Sequence, residues 1–129
     1  MIFQPDRYLL KQQIKRYAHY IKGVVLDAGS GEGERYKKFL NFDKYVKLDI
    51  NFVNKPNIIG SVENIPAESE SFDSIISTQV LEHVKNPRKT IEEFYRVLKP
   101  GGYCLITVPQ MNEIHEEPDD YFRFTKYGL

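Results

Sequence analysis

The run Val24-Val25-Leu26-Asp27-Ala28-Gly29-Ser30-Gly31-Glu32-Gly33 restricts the architecture of this chain more than any other segment. A short apolar stretch that ends in glycines predicts a strand buried on both faces, and such strands belong to parallel sheets covered by helices. Glycine at alternate positions lets the backbone turn sharply and approach a ligand where a Cβ would collide. The spacing also separates ligand classes. A dinucleotide corner reads G-x-G-x-x-G and presents a pyrophosphate to a helix N-terminus. Here the order is G-x-G-x-G with an acid, Asp27, two residues ahead of the first glycine. A carboxylate at that strand end disfavours phosphate and suits a cationic head group.

The remaining pattern alternates between the two periods. Residues 6–21 have partly helical apolar spacing at Tyr8, Leu9, Ile14, Tyr17 and Ile21, with Pro5 suited to a first helical position. A short helix is predicted over 34–40, then strands over 45–50, 58–60 and 72–77. Asn86-Pro87 reads as a cap and first turn for a helix carrying Ile91, Phe94, Tyr95, Val97 and Leu98, stopped by Lys99-Pro100-Gly101-Gly102. A fifth strand follows over 103–108. Strand and helix in alternation predict an α/β fold: an open sheet of about five parallel strands with flanking helices.

The 129 residues suffice for one domain with a real core. Lys plus Arg and Asp plus Glu both number 18, so the net charge of +0 predicts no field-level attraction to nucleic acid or to an acidic membrane. The single cysteine, Cys104, sits in an apolar run, which predicts a packing role and a reducing compartment, the cytoplasm by default. No apolar run approaches the roughly 20 residues of a membrane span, and no basic segment followed by a greasy one marks a signal peptide. Cysteine and histidine show no metal-type spacing.

The segment Asp27-x-Gly29-x-Gly31-x-Gly33 resembles the first motif of the class I S-adenosyl-L-methionine methyltransferases, whose sheet is Rossmann-like, and later segments agree in order and spacing. The resemblance implies that the glycine turn wraps the methionine part of the cofactor, with Asp27 near its ammonium. It implies that Asp49 holds the ribose hydroxyls as a bidentate acceptor and that Ile50 packs on the adenine. Gly60-Ser61-Val62-Glu63-Asn64-Ile65-Pro66 is similar to the third motif, but Ser61 stands where an acid is common, so the backbone of Val62 is expected to carry more of the adenine contact. The segment 72–84 resembles the fourth motif and implies Gln79 beside the cofactor, while 97–102 matches a structural turn. Some relatives hold a divalent metal with Glu-x-x-Glu-His, but Gln79 occupies the first place here, so no metal is expected.

The segment from His115 through Asp120-Tyr121-Phe122-Arg123-Phe124-Thr125 is similar to one in the type 11 methyltransferase subgroup. Methyl transfer from a sulfonium is an in-line displacement with an activated donor, so alignment supplies much of the rate and a base serves only a reluctant nucleophile. His115 and His83 are the candidates for that base, against structural readings in which both serve packing. The resemblance implies methylation of a small or medium-sized acceptor, with S-adenosyl-L-homocysteine as product. It also implies that the family's C-terminal antiparallel strand pair is missing. A competing reading is a cofactor-binding pseudoenzyme or fragment that needs a partner or the missing segment. A nucleotide-sugar or nicotinamide enzyme is disfavoured by the glycine spacing. An unpaired outer edge on the fifth strand predicts association of two chains there.

Overall fold

The structure, a computed structural model, describes residues 5–31 and 34–108. Helix α1 (Pro5–Tyr17) continues as a 3-10 turn over Ala18–Tyr20 and delivers the chain to strand β1 (Val24–Ala28). Strands β2 (Lys44–Asp49), β3 (Ile58–Ile59) and β4 (Phe72–Thr78) follow, then helix α2 (Pro87–Val97) and strand β5 (Leu98–Thr107). All pairings are parallel and the strand order is β3-β2-β1-β4-β5. The predicted α/β fold, an open sheet of five parallel strands with flanking helices, is what the chain forms.

The reversal of strand order beside β1 places the carboxyl ends of β1, β2 and β4 around one crevice, where open α/β sheets bind ligands. Alternation along each strand divides the core in two. Leu26, Leu48, Ile75, Phe94 and Val97 pack on the face covered by α2, while Val25, Ile76, Ile14, Ala18 and Ile21 pack on the face covered by α1. The four central residues Val25, Leu26, Ile75 and Ile76 are 0–1% exposed, each burial contributing about 2 kcal/mol. The two buried hydroxyls of β4 are satisfied by backbone groups: Ser77 Oγ donates to Ala28 O at 3.0 Å, and Ser74 Oγ accepts from Lys22 N and donates to Lys22 O. At α2, Asn86 Oδ1 accepts from Lys89 N at 3.1 Å and Pro87 occupies the first turn, as its sequence predicts.

Four local expectations are corrected. The helix predicted over 34–40 is a single 3-10 turn at Lys37–Phe39, because a helix of two turns cannot recover its nucleation cost without a broad buried face. Tyr8, Leu9 and Tyr17 of α1 are 52%, 59% and 43% exposed, and the buried stripe is Ile14, Ala18 and Ile21. Strand β5 begins at Leu98 rather than Tyr103, pairing with Phe72 before a register shift that accommodates Pro100 and the left-handed Gly101. Cys104 is exposed rather than packed, since β5 is the last strand of the sheet among the described residues.

Candidate cofactor site

The crevice is built from three strand ends. At the end of β1, Asp27 is buried, and Tyr45 Oη of β2 donates to its Oδ2 at 2.5 Å. Burial pushes the Asp27 carboxyl up to about 6, against the opposing pull of the Tyr45 hydrogen bond; Glu34 also raises it and Lys47 lowers it. A buried carboxyl is a strong receptor for a cation, because pairing returns what burial costs.

The turn after Asp27 is stitched to β2. Gly29 N and Ser30 N both donate to Leu48 O, at 2.8 and 3.0 Å, and Gly31 N donates to Asp49 Oδ2 at 2.8 Å. Gly29 has φ +78°, and a Cβ there would lie 2.5 Å from Val80 Cγ2, so this glycine is required by contact with the loop after β4. Gly31 has φ +63°, but among the described residues a Cβ there would meet nothing within 4 Å. Gly33 lies outside the described residues. Ser30 Oγ is buried and has no hydrogen-bond partner among the described residues, an orphan at the lip of the crevice.

Asp49 closes β2 half-buried, its Oδ1 accepting from Asn51 N at 2.8 Å while Oδ2 takes Gly31 N. Each carboxylate oxygen has two acceptor directions, so both retain capacity for hydroxyl donors. Ile50 follows, 75% exposed and available to a flat apolar ligand. Ser61 Oγ accepts from Glu63 N at 3.1 Å, and Val62 buries its side chain in the α2-side core. Gln79 has φ +56° and its N donates to Thr107 O at 2.9 Å, fixing a strained residue at the mouth of β4. His83 Nε2 lies 3.4 Å from Oε1 of the fully buried Glu82. His115 lies outside the described residues.

The crevice therefore gathers Asp27, Gly29, Gly31 and Asp49 through direct contacts or adjacent strand ends, with Gln79 at the neighbouring end of β4. Tyr45 and Ser30 escape the sequence reading, which names Gln79 but not its left-handed backbone. Only the β1–β2 register, which sets Asp27 beside Lys47 and hence Tyr45 on the diagonal of the same face, reveals the first of them. Two carboxylates, an orphan hydroxyl and an open glycine suit a ligand with a cationic end and vicinal hydroxyls, and suit a phosphate poorly. S-adenosyl-L-methionine has those groups.

The methyltransferase domain family matches residues 26–106. The chain is 30% identical to the uncharacterised protein MJ1123 of Methanocaldococcus jannaschii over 96% of its length and 65% of that protein's. It is 34% identical to a tRNA (carboxymethyluridine(34)-5-O)-methyltransferase of Arabidopsis thaliana, over 66% of this chain and 24% of that one. Against the ubiquinone/menaquinone biosynthesis C-methyltransferase UbiE of Hydrogenovibrio crunogenus the identity is 32%, over 71% and 46%. The chain thus spans less than two thirds of each of these relatives. An S-adenosylmethionine-dependent methyltransferase structure from Mesorhizobium loti superposes with a TM-score of 0.64 at 16% identity, covering 77% of this chain and 53% of that one, a likeness of fold. The match across the β1 turn, the β2 end and the β4 loop makes this chain a member of the S-adenosyl-L-methionine-dependent methyltransferase domain family.

Proposed function

We propose that the chain binds S-adenosyl-L-methionine across the ends of β1, β2 and β4 and transfers its methyl group to a small or medium-sized acceptor. The observation that carries the reading is Asp49, whose carboxylate ties to Gly31 N while keeping acceptor capacity toward the open space over that glycine. In this reading Asp49 holds the ribose hydroxyls, Ile50 covers one face of the adenine, and Ser61 and the Val62 backbone meet its edge. Asp27 receives the ammonium, with Gly31 and Gly33 giving the methionine part its clearance while Gly29 lets the turn close against Val80. Gln79 lines the sulfonium end.

When bound, the sulfonium supplies a methyl group already activated for displacement. The chain's own residues orient and desolvate the reacting partners. His83 and His115 are the candidates to take a proton from an acceptor that needs deprotonating, His83 with the buried Glu82 carboxylate 3.4 Å from its Nε2. The +0 net charge supports a small acceptor over nucleic acid, and the exposed lone Cys104 supports a reducing, cytoplasmic setting. Association of two chains through the outer edge of β5 belongs to the same reading.

Calorimetric titration with S-adenosyl-L-homocysteine, on the natural chain and on Asp49→Ala, tests it. Saturable binding that falls at least about a hundredfold in the variant is expected. A folded chain that binds nothing overturns the reading. A second reading, a cofactor-binding module inactive without further strands, is favoured by the unpaired outer edge of β5 among the described residues. Binding without turnover on any acceptor, restored by a relative's C-terminal half supplied in trans, is its signature.

A further inference from the structure

The segment 61–67 that follows β3 folds back on itself, with Pro66 Cδ 2.7 Å from where a Gly60 Cβ would stand, and it is tied to α2 by charged side chains. Glu93 Oε2 accepts from Ile65 N at 2.8 Å. Arg96 Nη1 donates to Ala67 O at 2.8 Å and its Nη2 to Ile65 O at 2.9 Å, while Nε and Nη2 also grip the two Glu93 oxygens at 2.9 Å. At the other end, Glu63 Oε1 accepts from Asn86 N at 2.6 Å, where α2 starts. One guanidinium and one carboxylate thus fix both backbone directions of Ile65. An ordinary surface ion pair would leave these groups to solvent; here the side chains are 34% and 12% exposed.

We propose that Glu93 and Arg96 are positioning residues for cofactor recognition: they anchor Ile65 and Ala67 and, through the Asn64 N to Ser61 O hydrogen bond at 3.1 Å, set where the Ser61–Val62 backbone stands relative to Ile50 and so the preference among purines. The inference rests on the reading of Ser61 and Val62 as the adenine edge. Ser61 is uncharged and its Oγ accepts from Glu63 N, while the Glu63 carboxylate is turned to Asn86 N, so selectivity depends on where the loop's backbone is placed. Arginine suits the task because its rigid fork satisfies two carbonyls and a carboxylate together, which a lysine cannot.

The test compares S-adenosyl-L-homocysteine with its deaminated counterpart, S-inosyl-L-homocysteine, by titration on the natural chain, Arg96→Gln, Arg96→Lys and Glu93→Gln, with thermal melts alongside. The natural chain is expected to prefer the adenine compound. Arg96→Gln weakens that compound about tenfold and the inosine compound much less, so the preference shrinks. Arg96→Lys fails to restore the preference, and Glu93→Gln, the milder change should Arg96→Gln not fold, reduces it about threefold. A lowered Tm with both affinities unchanged, or equal losses for the two compounds, overturns the positioning role. Absence of any binding by the folded natural chain overturns the reading of the site itself, a distinguishable failure.

Discussion

Tyr45 Oη donates to Asp27 Oδ2 at 2.5 Å from the diagonal position on the neighbouring strand, holding a buried acid at the end of β1. The carboxyl is raised to about 6 from an ordinary 3.8, so the folded chain keeps its proton where the unfolded chain has lost it. Stability therefore declines as pH rises from about 4 to about 6 and is level above, by a total on the order of 3 kcal/mol. Asp27→Asn keeps an acceptor for Tyr45 and removes the buried charge. It should raise stability at pH 7.5 by about 1–2 kcal/mol and by little at pH 4. Thermal melts at both pH values check this; an equal shift at both would remove Asp27 titration as the cause.

The same carboxyl predicts a pH-dependent affinity. An ammonium pairs with the ionised form, and at pH 5 that form is the minority. Binding of S-adenosyl-L-homocysteine should weaken about tenfold between pH 7.5 and pH 5, and Asp27→Asn should bind weakly at both. Titrations in buffers of matched ionic strength measure it. A natural chain whose affinity ignores pH over this interval would place the ammonium elsewhere.

The parallel sheet was legible because burial on two faces writes itself as short apolar runs, and β1, β2 and β4 fall within a residue or two of their predicted bounds. Asp27, Gly29, Gly31 and Asp49 were legible because acids and alternating glycines at strand ends have few other uses. What remained hidden depends on register and on balance between weak terms. Tyr45, 18 residues from Asp27 in sequence, gains its role only from the pairing Asp27↔Lys47. Ala18 carries too little apolar surface to announce that it, and not Tyr17, faces the core. Lys99-Pro100-Gly101-Gly102 reads as a break, yet an edge strand tolerates a proline and a bulge, so β5 runs through it.

Gly29 and Gly31 should separate fold from binding. Gly29→Ala adds a clash with Val80 to a left-handed backbone and should cost about 2 kcal/mol or more, partly recovered in the double variant with Val80→Ala. Gly31→Ala meets open space and should cost about 1 kcal/mol from its φ alone. Its larger effect should fall on affinity for S-adenosyl-L-homocysteine, because the methyl enters the volume assigned to the ligand. Denaturant unfolding paired with titration resolves the two. Affinity untouched by Gly31→Ala would move the ligand away from this turn.

The outer edge of β5 carries the last prediction. Tyr103 is 51% exposed and packs tilted against Tyr20 at 4.8 Å between ring centres, and Cys104 beside it is exposed. Backbone donors and acceptors along this edge have no strand partner among the described residues, and the aromatic pair adds apolar surface next to them. An edge so furnished invites a second copy, and a lysine introduced there opposes it by charge and hydration. Light scattering should show mass rising with concentration for the natural chain and a constant monomer for Cys104→Lys. Retention of monomer mass by both up to high concentration would mean that the edge is covered within a single chain, and the two-copy reading would fall.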